Sequence, residues 1–277
     1  MTQDTLTPAQ VHEAMTTRWI GRNYQYLPAT TSTNDLLKAQ AVSKSGSSIP
    51  AGTVILTDYQ EKGRGRLSRN WQAPAGSSLL FSILLRPNWP VEQFSWLTMI
   101  GGLAVSDVVS RLITLPAQLK WPNDCVIEQN STWKKYCGTL LEGHFADDGQ
   151  LAFVVAGIGV NVNIPEEDLP AATFPATSLL AVQGSAISRL DLFCAILARF
   201  EHYYDLAEQG QSPLTAWQDR LIFMNRRVVI SQFGKEATVE GTAVGTDSEG
   251  RLLVRDEEGV LHHIAAGDMA MRQDLEP

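Results

Sequence analysis

The amino-acid sequence predicts an α+β protein: a mixed, largely antiparallel sheet flanked by helices, followed by a small carboxy-terminal β-barrel. Three observations carry this expectation. Strand-like runs follow one another without the regular strand–helix alternation of a doubly wound fold. Two apolar stripes, from Leu97 to Leu112 and from Leu190 to Ala207, hold helical spacing and suit covers for a sheet. After Arg226 the chain breaks into short strands separated by glycine-containing turns.

Taken in order, residues 1–30 read as a polar arm leading into a strand or turn. Ser32, Thr33 and Asn34 offer N-cap chemistry ahead of Leu36, Leu37 and Ala41, so a short helix starts there. The β-branched run 53–57 and the apolar run 78–85 predict two strands, with the glycine- and arginine-rich segment 60–76 as the loop joining them. A helix over 97–112 covers the sheet, and strands follow at 119–127, 136–146 and 151–163, the last two joined by an Asp148-Gly149 hairpin turn. Ser188 to Asp191 resembles a capping box opening a long helix, and Ser212-Pro213 opens another that should end near Met224. Strands at 226–231, 236–244, 251–255 and 260–264, with turns at Gly234, Gly250 and Gly259, predict the barrel. The expected division is 1–224 for the larger domain and 225–277 for the smaller.

Composition excludes several classes. With 277 residues, 44% hydrophobic and 19% charged, the chain can bury a sizeable core and reads as globular. The 22 Lys+Arg against 30 Asp+Glu give a formal charge of -8, which repels a polyanion unless basic groups gather locally. Cys125, Cys137 and Cys194 form neither a CxxC pair nor an even set, which predicts a reducing compartment, the cytoplasm. The amino terminus lacks a signal-peptide pattern, and the longest apolar stretch, 151–160, is too short to span a bilayer, so no membrane association is expected.

Four segments carry candidate chemistry. In the first, Gln60 to Trp71, Gly63 and Gly65 let backbone approach a ligand while Arg64, Arg66 and Arg69 supply guanidinium donors for phosphate or carboxylate. It is neither a Walker loop nor a dinucleotide fingerprint, and a solvated basic turn would give the same run. The second, Lys120-Trp121-Pro122-Asn123-Asp124, places rigid polar groups at a strand end, where Asp124 can hold a cation or orient an amine. A strand ending in a Pro-Asn-Asp turn is the plainer alternative.

The third runs from Lys134 to Glu142. Alternation there puts Lys135, Cys137 and Thr139 on one face, so one lysine points inward while its neighbour meets solvent. A pair of exposed hairpin lysines is the competing reading. In the fourth, Ala156 to Asn163, Gly157 and Gly159 share a strand face with Asn161, which suits either a flat ligand against the backbone or close helix packing.

In their order, STN, Q-x-x-GRGR-x-x-R-x-W, KWPND, K-x-x-G-x-L-x-E and GIGxNVN, these segments resemble the biotin protein ligase family. The resemblance covers roughly residues 27–272 and implies a class II synthetase-like catalytic domain followed by an SH3-like domain. It also implies ATP and biotin as substrates, Mg²⁺, and a biotin carboxyl carrier protein as the acceptor. Carried over by residue, it implies that Ser32, Thr33 and Gln60 bond the ureido ring, with Asn34 beside them and Gly157 and Gly159 flooring the pocket. Gly63, Arg64, Gly65 and Arg66 would line the loop over the acyl phosphate, and Lys135, with Gly138, would contact the biotin carboxylate and the α-phosphate. Arg69, Trp71, Lys120, Asn123 and Asn161 would frame the nucleotide. The catalytic set is then Lys135, Arg64, Arg66 and Asp124, with Asp124 also the candidate for metal.

Two positions depart from the family pattern: Ser68 stands where glycine is usual, and Thr139 where isoleucine is. Some members begin with a DNA-binding winged helix-turn-helix, but here the first motif appears at Ser32, so the expectation is an enzyme without a repressor role, a monomer or homodimer. Two other readings stay in view. A lipoate or octanoate ligase would share the fold, though the polar set Ser32, Thr33 and Gln60 favours biotin. A non-enzymatic nucleic-acid binder would use the arginine loop and the small barrel, against which the charge of -8 counts.

Overall fold

The computed structural model describes residues 6–42, 49–66, 69–172, 174–231 and 238–271. Leu67, Ser68, Gly234 and the start of the strand expected from 236 lie outside the described residues. In chain order the elements are α1 (Pro8–Ala14), β1 (Tyr24–Leu27), α2 (Thr33–Val42), β2 (Val54–Thr57), β3 (Ser78–Leu85) and α3 (Ser95–Leu112). There follow β4 (Ala117–Lys120), β5 (Asp124–Gln129), β6 (Thr132–Phe145), β7 (Leu151–Asn161), α4 (Leu179–Gln183), α5 (Arg189–Glu208) and α6 (Leu214–Gln218). The chain ends in β8 (Arg227–Ser231), β9 (Val239–Thr246), β10 (Leu252–Arg255), β11 (Leu261–Ile264) and β12 (Asp268–Met271).

Every residue of β2 and β3 is buried, as apolar strands covered on both faces must be. They lie in a seven-stranded sheet of order β1-β2-β3-β7-β6-β5-β4, parallel only between β1 and β2. The long helices α3 and α5 pack together in the main core, joined there by Phe81, Ile158 and Val160 of the sheet. On the sheet's other face α2 contributes Leu37 to a smaller cluster with Ile55, Leu84, Phe153 and Val155. The second sheet, order β11-β10-β9-β8-β12, is antiparallel, and its Val228, Ile230, Leu252 and Val254 extend the main core.

Four expected elements change. The arm expected over 1–30 contains α1, capped by Thr7 and Gln10 with Pro8 at its first position, and Leu6 and Val11 are fully buried. Seven residues offer too few helical periods to show in the sequence. The strand expected at 119–127 is two strands, because Trp121-Pro122-Asn123 makes the turn and Lys120 pairs with Asp124. The helix expected to run to Met224 stops at Gln218, because the following segment pairs with β4: Leu119 N donates to Arg220 O at 2.9 Å and Ile222 N to Leu119 O at 2.8 Å. The expected barrel is an open five-stranded sheet among the described residues; β12 is the strand that turn spacing did not announce.

The register of β6 carries the correction with most consequence. Cys125 pairs with Cys137 but Val126 pairs with Lys135, so Tyr136 is an extra residue, a β-bulge. Lys135 therefore does not share a face with Cys137 and Thr139. Its ammonium instead reaches the face of Gly138, lying 3.0 Å from the position a Cβ would take there, while Thr139 faces Gly101 of α3.

Candidate active site

The face of the sheet that carries α2 becomes polar where β3, β6 and β7 run beneath the start of that helix. Ser32 Oγ accepts from Asp35 N at 3.4 Å and so caps α2. Thr33 N donates to Gln60 Oε1 at 2.8 Å, and Ser82 Oγ lies 2.7 Å from Thr33 Oγ1 and 2.6 Å from Asn34 Oδ1. The Asn34 amide lies over Gly157, where a Cβ would come within 2.3 Å of Oδ1. The space expected to be open above this glycine is filled by the chain's own side chain.

Residues 63–65 lie back against 69–71. Trp71 N donates to Gly63 O at 2.9 Å and Gly65 N to Arg69 O at 2.7 Å. Gly63 is needed for this approach, since a Cβ there would stand 2.3 Å from Trp71 O. This pairing lays the Trp71 indole on Gly138 and Gly159; a Cβ on Gly159 would meet the ring at 2.7 Å. Lys135 Nζ lies 5.4 Å from the centroid of that ring.

The three arginines of the segment go to three different parts of the fold. Arg64 Nη2 reaches Asp35 Oδ1 at 2.6 Å and Glu142 Oε2 at 2.9 Å. Arg66 Nη1 donates to Asn123 Oδ1 at 3.1 Å. Arg69 forks onto Asp268 of β12, with Nη1 to Oδ1 at 3.1 Å. Burial draws the Arg66 guanidinium below its usual range, against the pull of Asp124 and Asp268.

Beside them Lys135 Nζ stands 2.6 Å from Asp124 Oδ1. The contact is one of charge rather than an aligned hydrogen bond, and Asp124 Oδ1 keeps unspent acceptor capacity. Lys120 is buried at 6% exposure with its ammonium 4.7 Å from the Phe174 ring centroid, and burial holds its pKa below the usual lysine range. Asn161 Nδ2 donates to Thr177 O at 3.0 Å, while its Oδ1, Ser78 Oγ and Trp71 Nε1 are buried without partners. Buried polar atoms normally have partners, so this set marks where an occupant bearing donors and acceptors would be bonded.

A cleft of about 730 Å³ opens alongside, between the arginine segment, the first turn of α3 and Glu249 to Arg251 of the second sheet. It shares Arg64, Arg66, Asn123 and Glu142 with the polar face, but Lys135, Gly157 and Gly159 do not line it. The second sheet is held there by Trp121 Nε1 donating to Gly250 O at 3.0 Å and Ser95 Oγ donating to Glu249 O at 2.7 Å.

The described residues given site roles from sequence gather on or beside this polar face, whereas Thr139 turns toward Gly101 of α3 and Ser68 lies outside the described residues. Sequence reasoning gave no role to Glu142, Asp35, Lys38, Ser82 or Asp268. Glu142 had a usable signal, because it lies four residues from Gly138 on one strand and so on the same face. Asp268 had none, since its approach to Arg69 depends on packing between the sheets.

Comparison with known proteins identifies the family. Residues 26–161 match the biotin/lipoate A/B protein ligase family, and residues 223–272 match the biotin protein ligase C-terminal domain. The biotin–[acetyl-CoA-carboxylase] ligase of Mycobacterium tuberculosis is 33% identical over 96% of this chain and 97% of that protein. The bifunctional ligase/repressor BirA of Bacillus subtilis is 30% identical over 92% of this chain and 76% of that protein. Among solved structures, the biotin protein ligase of Aquifex aeolicus in complex with biotin and ATP is 29% identical, with a TM-score of 0.71 over 91% of this chain and 99% of that one. The chain belongs to the biotin protein ligases of the biotin/lipoate A/B protein ligase family.

Proposed function

We propose that the protein is an ATP-dependent biotin protein ligase that forms biotinyl-AMP and transfers the biotinyl group to a lysine of a carboxylase's biotin carrier domain. The observation that carries this reading is the grouping of Lys135, Asp124, Arg66 and Asn123 at one end of a polar face whose other end holds Thr33, Gln60, Ser82 and Asn34. The ring system of biotin, with a urea that donates and accepts, suits the second end. The acid and the phosphate suit the first.

In the first step a carboxylate oxygen of biotin attacks the α-phosphorus of ATP, and the bond to pyrophosphate breaks. Negative charge gathers on the phosphoryl oxygens, where Lys135 and Arg66 are the groups placed to stabilise it. Trp71, Asn161 and Ser78 bring a ring face and unpartnered polar atoms to the nucleotide. In the second step the acceptor amine attacks the acyl carbon and AMP leaves. That amine must give up a proton, and Asp124 Oδ1 is the buried acceptor placed to orient it.

Among the described residues no group of three His, Cys, Asp or Glu side chains forms a metal site. A Mg²⁺ ion bound through one carboxylate, phosphate oxygens and water remains compatible with Asp124. Bound there, it would neutralise phosphate charge.

The proposed division into a catalytic domain, 1–224, and a carboxy-terminal domain, 225–277, draws support from the match at 223–272 and from the change to a second sheet at β8. No helix among the described residues is long and apolar enough to cross a membrane. The deciding experiment incubates the protein with ATP, Mg²⁺, biotin and a carrier domain and weighs the product. A mass increase of one biotinyl group is expected; modification by lipoate or octanoate in its place overturns the reading.

A further inference from the structure

Arg64 is the arginine of its segment held by two carboxylates. Glu142 sits at the centre of the cluster: Asn34 Nδ2 donates to it at 2.7 Å, Lys38 Nζ at 2.8 Å and Arg64 Nη2 at 2.9 Å. Asp35 completes the cluster, 2.6 Å from Arg64 and 3.6 Å from Lys38. Two cations and two anions cancel, so an incoming acid meets no net repulsion. The cluster also touches substrate-facing groups, since the same Asn34 covers Gly157 and accepts from Ser82.

A free arginine has rotamer freedom that it would lose whenever it was ordered by a ligand. An arginine already bonded on two sides has lost it beforehand, and the ligand then binds a prepared group. Each exposed pair contributes little by itself. The effect here depends on Glu142, whose side chain is only 19% exposed and which joins α2, β6 and the arginine segment at one point.

We propose that Asp35 and Glu142 are positioning residues that clamp Arg64 beside the start of α2, at the ring-binding end of the site, before substrate arrives. The clamp consists of contacts within this chain; its consequence for biotin rests on the function proposed above. Neither carboxylate takes part in the chemistry. Their loss weakens biotin binding without slowing the reaction of bound substrate.

The test uses the full chain with Asp35→Asn, Asp35→Glu and Glu142→Gln. In biotin-dependent pyrophosphate exchange, Asp35→Asn is expected to raise KM for biotin about threefold and Glu142→Gln about tenfold, with kcat within about twofold. Asp35→Glu, which keeps the carboxylate, returns KM to the parent value. In the protein without substrates, amide hydrogen exchange at Gly65 quickens in Asp35→Asn and is restored in Asp35→Glu. An unchanged KM, a fall in KM, which would make net charge the governing factor, or unchanged Gly65 exchange overturns the clamp. A loss of kcat at unchanged KM overturns it too, by assigning the carboxylates to the chemistry. Should Glu142→Gln fail to fold, the half-exposed Asp35 carries the test. If the parent protein shows no biotin-dependent exchange, the proposed function falls, and amide exchange alone judges the clamp.

Discussion

Lys135 and Asp124 meet at 2.6 Å because Tyr136 is an extra residue in β6. Without that bulge, strict alternation would keep Lys135 on the core side with Cys137 and Thr139, where an ammonium would face α3. Lys135→Ala is therefore expected to slow adenylate formation by more than about tenfold, or roughly 1.4 kcal/mol of barrier. Biotin-dependent pyrophosphate exchange at the parent rate would remove Lys135 from the catalytic set.

Gly159 and Gly138 both lie beneath Trp71, yet they are expected to tolerate alanine differently. A Cβ at Gly159 would press on the fused ring atoms at 2.7 and 2.8 Å, and a rigid indole cannot yield without moving the 63–71 segment. At Gly138 the nearest atom is the end of Lys135, at 3.0 Å, with the Trp71 ring at 3.1 Å, so a flexible side chain takes up much of the crowding. Gly159→Ala should shift tryptophan emission and abolish most activity, while Gly138→Ala keeps a measurable fraction. Equal losses would show that Trp71 does not hold this position in solution.

Much of the fold was legible because α3 and α5 are long enough to repeat their apolar period and β2 and β3 are uninterrupted apolar runs. The site was legible as a set of residues for a different reason: Arg64, Lys135, Asp124 and Gly159 stand in motifs whose order suggested a family. Their mutual geometry was not. The Tyr136 bulge reverses the face of Lys135, and nothing in one strand's sequence shows where its partner lacks a residue. Likewise the pairing of Leu119 with 220–222 ended α6 early, a tertiary demand that overrode local helix spacing.

The same segment is anchored by Asp107, which accepts from Arg199 Nε at 2.7 Å, Tyr203 Oη at 2.7 Å and Arg220 Nη2 at 2.5 Å. The carboxylate thus ties α3 and α5 to the segment that supports β4 and the Lys120-Trp121 turn. Asp107→Ala leaves two arginines and a phenol without it, at an expected cost of about 2 kcal/mol; solvent reaching the arginines keeps this below the ~3–5 kcal/mol for breaking a fully buried pair. Calorimetry should record a Tm lower by about 4–8 °C. An unchanged Tm would mean that Arg220 is held by its backbone pairing alone.

The Glu142 cluster also predicts an acid dependence. Burial by itself would raise this carboxyl's pKa, but hydrogen bonds from Lys38 and Asn34 and the charge of Arg64 hold it below the ordinary glutamate value. A carboxyl depressed in the folded state binds its proton less readily there than in the unfolded chain. Its stabilisation is accordingly complete above the unfolded value of ~4.3 and is lost as pH falls through the lower folded value. Glu142→Gln has no proton to gain, so its Tm should fall less steeply than the parent's on acidification below ~4.3. Glu201, held low by its three backbone donors, lies outside the cluster and contributes equally to both proteins, so its own acid loss cancels in the comparison. Parallel acid limbs for the two proteins would show that the cluster around Glu142 does not persist in solution.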